Sequence, residues 1–161
     1  MAQRAQSQDF YHVMKYLIVD SEGFLNPLAG FVTCSMPEET IDVAEYKEGI
    51  DVYKKKQLGN PTFSNITLHR GIVKNETNFS DYIKLAAENS PVRTDFNIYH
   101  FHRDDVDGLN KYINASPSRI IRVFNALPIR VKFGSDFDAN SSDISIQELE
   151  FVVERVEIQY P

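Results

Sequence analysis

Among its 161 residues the chain has one cysteine, Cys34. That excludes a disulfide within the chain, so stability has to come from packing or from assembly. Cys34 sits in the apolar run AGFVTCS, where a buried small hydrophobe suits the surroundings better than a nucleophile. Long apolar runs are also missing: none approaches the roughly 20 residues that span a bilayer. The N-terminal MAQRAQSQDFYHV lacks a basic segment followed by an apolar one, so no signal peptide is expected and folding in a cytosol is. There is no excess of positive charge. With 17 Lys and Arg against 23 Asp and Glu, the net charge of −6 favours solubility and argues against a duplex nucleic-acid binder. GxSxG, GxGxxG, phosphate-loop and HExxH motifs are all absent, as are internal repeats and low-complexity segments. These absences point to a function carried by a surface rather than by a pocket.

What the chain does have is strand-like alternation. Residues 1–9 are polar and read as a flexible arm, and residues 10–161 as a single domain, large enough to bury roughly two-thirds of its unfolded surface. FYHVMKYLIV (10–19) and GFVTCSM (30–36) read as strands, and ETIDVAEY (39–46) alternates like a strand with one wet side. IDVYKKKQL (50–58) lies between two turn signals, Gly49 and Gly59-Asn60-Pro61, and reads as a projecting β-hairpin or extended loop. FSNITLHRGI alternates cleanly, with Ile66, Leu68 and Arg70 opposite Thr67 and His69. One helix is expected in KNETNFSDYIKLAAEN, where Phe79, Tyr82, Ile83 and Ala86 form one apolar face. RTDFNIYHFHRD reads as a further strand. RIIRVFNALPIRVKFG reads as a long strand with a kink, bulge or strand switch at Pro128. In the last segment the apolar parity changes from Ile144 and Ile146 to Leu149, Phe151 and Val153, then back to Val156, Ile158 and Tyr160. That pattern predicts a bulged strand passing from one sheet layer to another. The sum is a mainly β fold, an antiparallel sandwich or barrel with one α-helix and a protruding hairpin arm.

Candidate chemistry is sparse. In HFHRDD, His100 and His102 would share one strand face, with Asp104 or Asp105 to add oxygen, but a further donor at metal-site spacing is missing. The carboxylate pairs Glu38/Glu39, Asp104/Asp105 and Asp136/Asp138 all lie beside Pro, Gly or Ser and read as loops or caps. Lys54, Lys55 and Lys56 follow Glu45, Glu48 and Asp51 closely, which suits a solvated or partner-facing hairpin better than a phosphate track.

An ordered set of segments completes the reading: EYKEG (45–49), LGNPT (58–62), FSNITLHRG (63–71) and FSDYI (79–83), then FNALPIRVKFGSDFDANSSDISIQELEFVVERVEI. Over residues 10 to 160 this set resembles the tail tube family of T4-like contractile phages and of phage-derived contractile injection systems. EYKEG and SNITLHRG favour an extracellular injection particle over an infecting phage. Leu127 departs from the family's usual aromatic before Pro128, and HFHRDDVDGLNKYINASPS is longer than the usual turn. The resemblance implies hexameric rings that stack head to tail into a hollow tube inside a contractile sheath. It implies a hairpin arm, here about Ala44 to Phe63, that reaches the next ring. Glu45, Lys47, Glu48, Asp51, Lys54, Lys55 and Lys56 would meet complementary charges there, and Tyr46, Ile50, Val52, Tyr53 and Leu58 would anchor it. Arg122, Arg130 and Lys132 would face the lumen or the sheath. The implied partners are further copies of the chain, a sheath protein, baseplate or initiator and terminator proteins, and protein or DNA cargo. No cofactor, catalysis or membrane insertion of the monomer is implied. Synthesis in a bacterial cytoplasm, followed by assembly into a phage tail or extracellular particle, is. Two alternatives stand beside this: a tube initiator of the same family, and a monomeric β-domain enzyme or binding module using His100, His102 and Asp104.

Overall fold

A computed structural model describes residues 16–20, 33–72, 78–88, 93–101 and 117–161. Along the chain the elements are β1 (Tyr16–Asp20), β2 (Thr33–Cys34), β3 (Glu39–Tyr46), β4 (Lys55–Phe63), β5 (Ile66–Gly71), α1 (Asn78–Ala87), β6 (Thr94–His100), β7 (Arg119–Lys132), β8 (Ile146–Val152) and β9 (Arg155–Gln159). Every strand pair is antiparallel. Seven strands run in the order β1-β6-β7-β8-β5-β2, with β9 also on β7, while β3 and β4 form a separate ribbon.

The seven strands make two layers because β7 changes partners along its length. Its first half pairs with β9 as far as Phe124 and with β6 as far as Ala126, opposite Thr94, and Leu127 to Lys132 pair with β8. The switch occurs at Asn125, which has φ 54°, a left-handed conformation that Asn tolerates better than most residues. The Asn125 amide N donates to Asp95 Oδ1 at 2.8 Å, and its Nδ2 donates to Glu154 Oε2 at 2.9 Å. Arg93 pairs with the other oxygen of Glu154, and the Glu154 amide donates to the Phe124 carbonyl. A second irregularity follows between Pro128 and Arg130. The strand switch expected at Pro128 is therefore present but begins three residues earlier. The parity change late in the sequence also has its cause: the chain breaks at Val153-Glu154, between β8 in one layer and β9 in the other.

Inward residues of both layers meet in one core. Ile18, Phe96, Ile98, Ile121 and Val123 come from the first, and Ile66, Leu68, Leu149 and Phe151 from the second. Phe96 and Phe151 join the layers, with ring centroids 5.4 Å apart in a tilted pair. The alternation that sequence reading found in β5 and β8 is the period-two signature of this half-buried geometry. Among the described residues β1 and β2, the ends of the strand order, do not pair, so the architecture is a sandwich and not a closed barrel. Helix α1 packs on β7, with Asp81 in its first turn and Lys84 in its last, as the helix dipole favours. Ile83 and Ala86 of its expected apolar face are half-buried, whereas the side chains of Phe79 and Tyr82 lie outside the described residues.

Two local expectations need correction. Gly59-Asn60-Pro61 is not a turn but lies within β4, and IDVY is the end loop of the hairpin rather than strand. Between the pairs Ile41–Pro61 and Val43–Leu58, β4 holds one residue more than β3, so Gly59-Asn60 forms a bulge opposite Asp42. A Cβ at Gly59 would lie 3.1 Å from the Asp42 carbonyl oxygen, which explains the glycine by close approach. FSNITLHRGI is also not one strand, because Ser64-Asn65 separates β4 from β5. The expected flexible arm at 1–9 lies outside the described residues.

Candidate assembly surface

The β3–β4 ribbon continues the β2–β5 pair past the end of its sheet. Its neck is held by four hydrogen bonds. The Ser35 amide donates to the Thr67 carbonyl at 2.9 Å, and the Thr67 amide to Ser35 Oγ at 2.7 Å. The Ser64 amide donates to the Glu38 carbonyl at 2.9 Å, and the Glu38 amide to Ser64 Oγ at 2.8 Å. Two serines thus close the backbone where the ladder is interrupted. Beyond the neck, eight residues of β3 project about 26 Å at strand rise. The ribbon therefore begins at Glu39, earlier than the arm expected from Ala44.

The charges of the ribbon pair largely with one another. Lys54 and Lys56 lie 3.4 and 3.8 Å from the Glu45 carboxylate, and Lys55 lies 3.5 Å from both Glu48 and Asp51. Lys55 Nζ is also 5.7 Å from the centre of the Tyr46 ring. Exposed pairs of this kind contribute at most about 1 kcal/mol each. They shape the tip rather than stabilise the fold. Lys47 has no ion-pair partner among the described residues. The apolar side chains of the tip are uncovered: Ile50 is 97 %, Val52 82 % and Tyr53 84 % exposed, and Leu58 follows on β4. Neither outer edge of the ribbon is paired by a described strand. An edge with unpaired backbone groups and exposed large apolar residues is a template for association.

The three cations expected on a lumen or sheath face do not share a surface. Arg122 lies in the part of β7 that pairs with β6 and β9, on the outward side opposite Ile121 and Val123. Arg130 and Lys132 lie in the other layer and face the opposite way. There, a polar belt runs across four strands. Thr33 Oγ1 is 2.9 Å from His69 Nδ1, and His69 Nε2 is 3.4 Å from Glu148. Arg130 donates to Glu148 at 3.2 Å and to Glu150 at 2.8 Å, and Asn65 donates to Glu150 at 2.9 Å. Hydrogen bonds from Arg130 hold both carboxyls below their ordinary range, with Asn65 adding to the effect at Glu150. Sequence reading missed the belt. Its signal was the outward parity of Glu148 and Glu150 opposite Arg130 and Lys132.

The remaining candidates disperse. His100 ends β6 opposite Arg119, while His102, Asp104 and Asp105 lie outside the described residues. No group of three or more His, Cys, Asp and Glu among the described residues is placed to hold a metal. Asp138 caps its own loop, accepting from the Asn140 amide at 2.9 Å, and Glu38 belongs to the ribbon neck. Cys34 is half-buried against the core, and burial pushes its thiol up to about 12, which leaves little thiolate for nucleophilic chemistry.

The family model described as T4-like virus tail tube protein gp19 matches residues 13–157. A chain from the cryo-EM structure of an extracellular contractile injection system, the PVC sheath-tube complex in its extended state, superposes with TM-score 0.79 at 22% identity, covering 99% of this chain and 100% of that one. A chain from the PVC sheath/tube terminator structure in the extended state gives 0.76 at 24% identity, covering 94% and 98%. A chain from the anti-feeding prophage baseplate gives 0.72 at 18% identity, covering 99% and 98%. Comparison with curated protein sequences gives no match.

Proposed function

Since the chain belongs to the T4-like virus tail tube protein family, we propose that it is the inner tube subunit of a contractile injection machine, assembled as hexameric rings stacked head to tail. The observation that carries this reading is the ribbon, which stands outside the core with open edges and an uncovered apolar tip. A lone copy gains nothing from that exposure, whereas a neighbour completes it. Because the ribbon leaves from one end of the molecule only, the contact it makes is heterologous and propagates as a filament. Ile50, Val52, Tyr53 and Leu58, flanked by Tyr46, anchor it. Glu45, Lys47, Glu48, Asp51, Lys54, Lys55 and Lys56 set its register. Within a ring, the outer edges of β1 and β2, unpaired among the described residues, offer strand addition to the neighbouring subunits.

The polar belt suits a lumen wall. Arg130 is paired there with Glu148 and Glu150, and Lys132 stands opposite Glu148 in register, so the face holds polar cargo, protein or DNA, without trapping it. Arg122, on the opposite layer, belongs to the side that meets a sheath. The machine works by displacement and not by catalysis, inside a particle that acts outside the cell in which the chain is made.

Electron microscopy of the purified protein over a concentration series tests the reading. Tubes are expected from the intact chain. Replacing residues 44–57 with a short Gly-Ser turn, joined at the Val43–Leu58 pair, should keep the β signature and melting of the body while removing tubes. An intact protein that remains monomeric at high concentration refutes the proposal. The likeness to a baseplate chain favours a second reading, a tube initiator. That protein would form single rings that do not lengthen with concentration.

A further inference from the structure

The pole that receives the ribbon can be located from the far end of the same sheet. β5 runs from the ribbon neck at Ile66, opposite Phe151, to Gly71, opposite Ile146. The segment from Phe133 to Ser145, which joins β7 to β8, therefore caps the end remote from the ribbon. Four large apolar side chains are uncovered there: Phe133, Phe137, Ile144 and Ile72, with Phe137 fully exposed and Ile144 75 % exposed. They do not lie on a loose loop. The Ser135 amide donates to Ser145 Oγ, the Ile146 amide donates to Ser135 Oγ and the Ile72 amide donates to the Ser145 carbonyl, each at 3.0 Å. Gly134 packs so closely that a Cβ would lie 3.0 Å from Ser145 Oγ and 3.1 Å from Ile72 Cδ1. The segment borders a shallow, half-open depression whose lining includes Phe137 and Ile144.

We propose that this pole is the acceptor for the ribbon tip of the next copy, with Phe137 and Ile144 receiving Ile50, Val52 and Tyr53. Shape and charge agree. The acceptor segment, residues 133–145, carries Asp136, Asp138 and Asp143 and no Lys or Arg. The tip, residues 45–56, carries Lys47, Lys54, Lys55 and Lys56 against Glu45, Glu48 and Asp51, a net charge of +1, and Lys47 is the cation left without an ion-pair partner among the described residues. Donor and acceptor sit at opposite ends of one sheet, which is what a repeating head-to-tail contact requires, since each copy offers both. The acceptor is already held in shape by its serines, so docking orders little new backbone. The opposite charges steer the approach and oppose a reversed, tip-to-tip encounter. This deepens the reading of the ribbon as the ring-to-ring element and rests on it.

The test uses the full chain and electron microscopy of tube formation. Phe137→Ser with Ile144→Ser is expected to abolish tubes while leaving the melting temperature of the body unchanged. Asp136→Lys with Asp143→Lys should do the same through charge alone, and adding Lys54→Glu and Lys55→Glu to that variant should restore tubes. If ribbon truncation removes tubes but the Phe137/Ile144 variant forms them at normal length, the acceptor assignment is wrong and the ribbon reading survives. A charge swap that fails to restore tubes also overturns the assignment. If the truncated chain still forms tubes, both fall together.

Discussion

At the scale of single residues, Asn125 does the most for the fold. Its positive φ turns β7 from one layer to the other, and its side chain ties the turn to Glu154, the residue at which β8 gives way to β9. Asn125→Val forces a β-branched residue into the left-handed region and breaks the tie. It should cost about 1–2 kcal/mol or more in urea unfolding, with Asn125→Gly milder. The motif Asn125-Ala126-Leu127-Pro128 was visible in the sequence, but proline drew the break to itself. Asn reveals a left-handed backbone only through a preference, whereas Pro forbids a hydrogen bond outright. Arg130 gives a second prediction. Glu148 and Glu150 have carboxyl pKa values depressed in the folded state, so their contribution is present above the ordinary carboxylate range and is lost as pH falls through the lowered values. The melting temperature should therefore fall below about pH 5. Arg130→Met should flatten that decline and cost up to about 1 kcal/mol at neutral pH, as partly exposed pairs do.

At the scale of elements, the ribbon shows both what sequence patterns disclose and where they stop. The alternation of ETIDVAEY marked β3 as a strand, but the dry side it implied is absent: all eight residues are exposed, because the ribbon stands clear of the core. Gly59-Asn60-Pro61 misled because the same residue types serve turns and bulges, and only the partner strand tells them apart. Asp42 supplies that partner, across a gap that admits no side chain. Gly59→Val should push the strands of the ribbon apart while leaving the core intact. Faster hydrogen exchange in residues 39–63 is expected, with exchange in β5 and β8 unchanged. The polar belt was illegible for a related reason. Its carboxylates and cations are distant in sequence, and only strand register brings Arg130 opposite Glu150.

At the scale of the molecule, the sandwich was legible because half-buried strands write their burial into parity. The late change of parity marks the passage from β8 to β9. The direction in which the ribbon leaves the body, and the pole opposite it, were not legible, since both follow from how β5 and β8 are paired. The body should behave as one cooperative unit despite its two layers. Phe96 and Phe151 face one another across the core, so Phe151→Ala should cost about 3–5 kcal/mol and lower the stability of both layers together. A single unfolding transition, followed by far-ultraviolet circular dichroism and by tyrosine fluorescence, is the expected result.

One strand is common to both halves of that body. Sliding one face of the sandwich against the other is resisted by a continuous covalent backbone, kinked at Asn125, and not by side-chain friction alone. A stack of such units pushed end-on passes thrust through main chain at every storey, and it bends only where one storey meets the next.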